Sequence, residues 1–142
     1  MAWIYDALDA VKTQINTLGT TPDDVAIVPN GQERLSRPKA KNYWVTLHPV
    51  SDNEQAEPGA AYVAEYTIGV TVWIKTPGKS VVSTLSSKIS DVRGILWYSD
   101  LDGWGRVVLA GDEFGGGEYI DGEDSENVYG YQFEITVKKQ YT

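Results

Sequence analysis

62-YVAEYTIGVTVWIK-75 reads at a period of two. Tyr62, Ala64, Tyr66, Ile68, Val70, Val72 and Ile74 make one face, which is almost wholly apolar. Val63, Glu65, Thr67, Gly69, Thr71, Trp73 and Lys75 make the other, which is mostly polar. This alternation predicts a half-buried antiparallel strand. Strands usually run ~5–6 residues, and at ~3.3 Å per residue this one would reach roughly 45 Å. One end should therefore project beyond the body of the domain.

Two amphipathic helices lie to either side of it. In the first, about Ala2 to Leu18, Ile4, Leu8, Val11, Ile15 and Leu18 form a single stripe, widened by Trp3 and Ala7. Gly19 supplies a stop, because glycine accepts the left-handed conformation cheaply. In the second, about Ser80 to Tyr98, Val81, Leu85, Ile89, Val92 and Leu96 form the buried stripe, with Ser80 as N-cap. Gly94 inside this helix suggests close packing there.

Shorter strands are expected at Val25–Val28, at Tyr43–His48 (ended by Pro49) and at Gly105–Ala110, with a further short one at Glu118–Ile120. Val128–Lys139 is the last long strand, with Tyr129, Tyr131, Phe133, Ile135 and Val137 facing one way. Gln32–Asn42 reads as a polar, basic arm around Pro38. Val50–Ala61 is polar and reads as a long hairpin tip, mobile in the free subunit. The order is α-β-β-β-α-β-β. Two helices need an apolar sheet face to cover, which predicts an α+β fold. Its sheet should be mainly antiparallel, of four to five strands, with both helices on one face. The opposite face, with Trp44, Thr67, Thr71, Trp73, Gln132 and Glu134, is expected to be open to water or a partner.

The chain has 142 residues, a length that suits one domain. No run of ~18 apolar residues predicts a membrane-spanning helix. The N-terminal stretch has no basic region ahead of its apolar residues, which argues against a secretory signal. There is no cysteine, so disulfides, thiolate nucleophiles and cysteine-bound zinc are excluded. A net charge of −8 argues against a dedicated nucleic-acid binder, which needs a basic face.

The charge is uneven. Asp112, Glu113, Glu118, Asp121, Glu123, Asp124 and Glu126 fall in one glycine-rich stretch without a base. Arg34, Arg37, Lys39 and Lys41 fall in another without an acid. These are either two solvated loops or complementary interaction patches.

No catalytic constellation emerges. Gly78-Lys79-Ser80 follows a strand and opens a helix, but the first glycine of a phosphate-binding loop is replaced by Trp73. An ordinary turn and N-cap is the better reading. His48 is the only histidine and sits at an expected strand end, with no nucleophile elbow in the chain. Asp121–Asn127 has oxygen ligands at alternate positions, but it lacks the glycine at position six and the bidentate acid at position twelve of a calcium loop. No cofactor is expected and no enzymatic activity. Five tryptophans and nine tyrosines are divided between core and interface, with Trp44 and Trp73 assigned to the interface because alternation turns them from the core.

In order, size and character these elements resemble the tail terminator (tail completion) proteins of tailed bacteriophages. The matching pieces are MAWIYDALDAVKTQINTL, YWVTLHPV, AEYTIGVTVWIKTPG, SVVSTLSSKISDVRGILW and GYQFEITVKKQY, nearly the whole chain. The acidic insertion before the last strand has no counterpart in that pattern. The resemblance implies a structural virion protein, assembled in the host cytoplasm. It would form a hexameric ring that caps the head-proximal end of the tail tube. Its partners would be the tail tube protein and a neck or head-completion protein, with DNA passing through the lumen unbound. Under it the acidic stretch would either line the lumen or meet the basic arm of a neighbour. Two other readings stand beside it: another head–tail neck (head-closure) protein, and a small α+β ligand-binding or enzymatic domain. The last should enclose a pocket with converging polar groups, whereas a ring subunit should show a flat, wet second sheet face.

Overall fold

The computed structural model describes residues 4–19, 22–29, 42–57, 61–75, 81–96, 100–101, 105–109, 118–121 and 128–141. Among them the order is α1 (Ile4–Ile15), β1 (Asp24–Ile27), β2 (Tyr43–Glu57), β3 (Ala61–Lys75), α2 (Val81–Leu96), β4 (Asp100–Leu101), β5 (Gly105–Leu109), β6 (Glu118–Asp121) and β7 (Val128–Tyr141). The Gly78-Lys79-Ser80 turn lies outside the described residues.

The stripe of α1 is buried as expected, with Ile4, Ala7, Leu8, Val11 and Ile15 in the core. Asp6 in its first turn and Lys12 in its last complement the helix dipole. Its end differs from the reading. Gly19 does not take a left-handed backbone. The last turn instead tightens to 3₁₀ bonds, Thr17 N–H to Gln14 O and Leu18 N–H to Ile15 O, each at 3.1 Å.

In α2, Leu85, Ile89, Val92 and Leu96 are buried. Gly94 is exposed, and among the described residues a Cβ there would meet nothing within 4 Å, so the close packing expected at this glycine is not found among them. Its cost to the helix is then uncompensated. Gly94→Ala should raise stability by ~1 kcal/mol, read as a higher urea midpoint; a lower midpoint would contradict the open site.

The sheet runs β1-β2-β3-β7-β5-β4, and β6 also pairs with β7. β5 and β6 share the outer edge of β7: β5 covers Ile135–Val137 and β6 covers Tyr129–Gln132. Every pairing is antiparallel except β1 with β2. The sheet is therefore mixed. A parallel neighbour needs a crossover of about a dozen residues or more, and residues 28–42 span that return. Asp23 ties its far end: its carboxylate accepts N–H bonds from Asn42 and Tyr43 at 3.0 and 3.2 Å.

The hairpin departs most from expectation. Pro49 does not end β2, and 50–57 is not a loop; the strand continues to Glu57, opposite Ala61. The register shifts between Pro49 and Ser51. A bulge there takes up the missing N–H of proline, which an edge strand tolerates. Beyond it, backbone pairing with β3 carries a segment whose side chains are too polar to signal a strand.

Both helices cover one face. α1 lies over β2 and β1, α2 over β3 and β7, and the two helices touch. Their stripes meet Val45, Leu47, Ala64, Tyr66, Ile68, Val70, Val72, Ile74, Phe133, Ile135 and Val137 in one core. Gln14 ties the helices further, donating to Ile95 O at 3.3 Å. Arg93 at the end of α2 donates to the Tyr131 hydroxyl at 2.8 Å and lies over the rings of Tyr131 and Phe133.

Candidate functional site

The second sheet face was the candidate surface, and its geometry follows from strand register. Trp44, Trp73 and Gly130 form one cross-strand row; Thr46, Thr71 and Gln132 form the next; His48, Gly69 and Glu134 form the third. Odd positions of β3, even positions of β7 and even positions of β2 as far as His48 point away from the helices; beyond the register shift at Pro49 the odd positions of β2 do so.

This face is not open where the tryptophans lie. Trp44 and Trp73 are 1% and 2% exposed, and they form a cluster separate from the main core. Their rings stack with centroids 6.2 Å apart and planes 12° from parallel. The Trp73 indole N–H donates to Thr46 Oγ1 at 3.0 Å, inside the buried layer. The interface role expected for Trp44 and Trp73 is therefore corrected. Alternation placed them on the right face, but it carries no information about whether a face is covered.

Gly130 explains how the indole fits. A Cβ there would stand 2.7 Å from the Trp73 ring, so the strand leaves out a side chain where the indole lies. Gly69 does the same for His48, whose ring occupies the place a Cβ would take. His48 is buried in mid-strand, not at a strand end, with its Nε2 3.4 Å from the Gln132 amide nitrogen. Sequence reading passed over both glycines. A glycine inside a strand is the signal that could have marked them, since it often records a close approach.

Chemically this layer is a packing device. It brings together one imidazole, two indoles and two threonines. Thr71 Oγ1 and Trp44 Nε1 find no hydrogen-bond partner among the described residues. Among those residues no group of three or more His, Asp or Glu could hold a metal ion, and no helix is long and apolar enough to cross a membrane. The face grows wetter away from the tryptophans: Thr67, Gln132 and Glu134 are half-buried, and Lys138 pairs with Glu65 at 3.4 Å with both side chains well exposed.

Of the charged candidates, Arg34, Arg37, Lys39, Lys41, Asp112, Glu113, Glu123, Asp124 and Glu126 lie outside the described residues. Asp121 closes β6, where it pairs with Tyr129.

On the helix side, Tyr43 is 8% exposed, its hydroxyl buried without a hydrogen-bond partner among the described residues and its ring 4.7 Å beneath the Lys88 ammonium. Burial, then the negative charge of Asp91, pushes its pKa from 10.0 up to about 12. The folded state thus holds a proton that the unfolded chain gives up first. This contribution to stability is complete below pH ~10 and is lost as pH rises towards about 12. Tyr43→Phe should flatten that alkaline decline in thermal midpoint; an unchanged slope would show that the hydroxyl is not sequestered.

No family model matches the chain, and no curated protein matches it. Among solved structures it is similar to a chain of the "Virion of native gene transfer agent (GTA) particle", with 17% sequence identity and a TM-score of 0.56. The match covers 97% of this chain and 92% of that one. The two chains share a fold from end to end.

Proposed function

We propose that this protein is a structural subunit of a tailed-phage-like virion. More closely, we read it as a non-catalytic tail terminator whose ring, of six copies, caps the head-proximal end of the tail tube and joins it to the neck. The observation that carries the reading is the end-to-end fold likeness to a virion chain, in a chain whose element order also resembles tail terminators. The second face departs from the flat, wet surface expected of a ring subunit around Trp44, Trp73 and His48, which are buried. In this reading the buried His48, Thr46 and Thr71 serve packing. The acidic stretch then either lines the lumen, where it keeps passing DNA from adhering, or meets the basic arm of a neighbour.

Native mass and sedimentation of the purified protein, with and without tail tube protein, test the reading. Rings that bind the end of the tube are expected. Rings that bind a neck protein and not the tube would make it a head-closure protein instead. A monomer under every condition, at high concentration, would end the ring reading.

A further inference from the structure

We infer that copies of this chain join head to tail through their sheet edges, the β2 edge beyond Pro49 of one copy pairing in parallel with the β7 edge beyond Val137 of the next. The inference rests on the ring reading above and says which surfaces build the ring.

Two observations define the edges. β1 covers β2 only from Trp44 to Leu47, with one further bond from Val28 N–H to Leu47 O. Burial ends with that cover: Tyr43 through His48 are buried, whereas Val50, Ser51 and Asp52 are exposed. Among the described residues no strand pairs with Pro49–Glu57 on the side away from β3. On the far edge, β5 covers β7 only as far as Val137. Among the described residues Lys138–Tyr141 likewise pairs with no strand on its outer side. An uncovered edge presents a row of backbone donors and acceptors to another strand.

Their placement suits a ring. Asn53, Glu65 and Lys138 share one row of the sheet, so the two open edges stand at the same height. β2 and β7 are each antiparallel to β3, so they run in the same direction. Rotation about an axis along the strands preserves height and direction, and brings one edge onto the other.

Charge selects the pairing. Ser51–Glu57 carries Asp52, Glu54 and Glu57 and no base; Lys138–Tyr141 carries Lys138 and Lys139 and no acid. A two-fold contact would set acid on acid or base on base, which is destabilising across strands. Head-to-tail contact sets acid on base, and such heterologous contacts close into rings when the rotation permits.

The absence of native cysteine makes the test direct. Asn53→Cys with Lys138→Cys cannot bridge within a copy, because β3 separates the strands by ~9.6 Å and a disulfide needs Cα atoms within ~7 Å. Ser51→Cys and Gln55→Cys, each with Lys138→Cys, test the registers two residues to either side. Under mild oxidation in the conditions where native mass shows the ring, one double variant should give a ladder ending at the ring's copy number. Each single variant should stay uncrosslinked. Rings on native mass without a crosslink in any of the three registers would overturn the edge pairing and leave the ring reading standing. Crosslinked dimers of the single variants would overturn head-to-tail contact in favour of a two-fold. Monomers alone on native mass would overturn both readings together.

Discussion

Gly69→Ala is expected to destabilise this protein by ~3 kcal/mol, the upper part of the range for forcing atoms into a packed site. The added Cβ falls on the His48 ring. The ring cannot simply swing to solvent, because His48 is 1% exposed in the middle of β2, and β3 is held by long neighbours on both sides. Overpacking here must therefore displace backbone or move a buried imidazole from its place beside Gln132. For a domain whose total stability is ~5–15 kcal/mol, that is a large share. Chemical denaturation of the variant measures it. Pairing the change with His48→Ala separates steric conflict from any general effect of altering the strand. The double variant should be more stable than the sum of the singles by more than ~1 kcal/mol, as contacting residues are in such cycles. Additive effects, or an unchanged midpoint for Gly69→Ala, would mean that the histidine does not occupy this space.

Trp73→Ala should cost ~3–5 kcal/mol, the range for deleting a large buried aromatic. Three losses combine. The side chain is 2% exposed, it stacks on Trp44, and its N–H satisfies Thr46 within the buried layer. Trp73→Phe keeps most of the apolar contact and drops the N–H, and should fall between wild type and alanine. Thr46→Val leaves the indole N–H buried without a partner, worth ~1–3 kcal/mol, and should lower the midpoint while barely altering volume. Near-ultraviolet circular dichroism should lose the signature of the stacked indoles in Trp73→Ala. The competing role for Trp73, as an exposed assembly contact, makes the opposite demand: a monomer of ordinary stability that fails only to assemble. Denaturation of the isolated subunit beside native mass of the assembly decides between them.

Much of the architecture was legible in the chain. The stripes of α1 and α2 and the alternation of β3 and β7 are local periodicities, and apolar side chains at those spacings can be buried only on one face. They placed both helices on one side of the sheet and marked its central residues as core, among them Leu8, Val11, Ile15, Ile68, Val70, Val72, Leu85, Val92, Phe133 and Ile135. They also put Trp44 and Trp73 opposite that core. What the residues determined was direction; alternation states which way a side chain points and not what lies over it.

Tertiary structure decided the rest. Ser51–Glu57 is a strand because β3 offers its backbone a ladder, a non-local cause that outweighs Pro49 and a polar composition. β1 runs parallel to β2, and four residues of local pattern contain no trace of that direction. Gly69 and Gly130 were placed within strands by the sequence, but their purpose depends on residues 21 and 57 positions away, His48 and Trp73. Gly94 shows the converse: its identity suggested contact, and only its outward position on α2 shows open space. Periodicity along one segment is an intramolecular property of that segment. Coverage, register and close approach depend on pairs of distant segments, and those pairs exist only once the chain has folded.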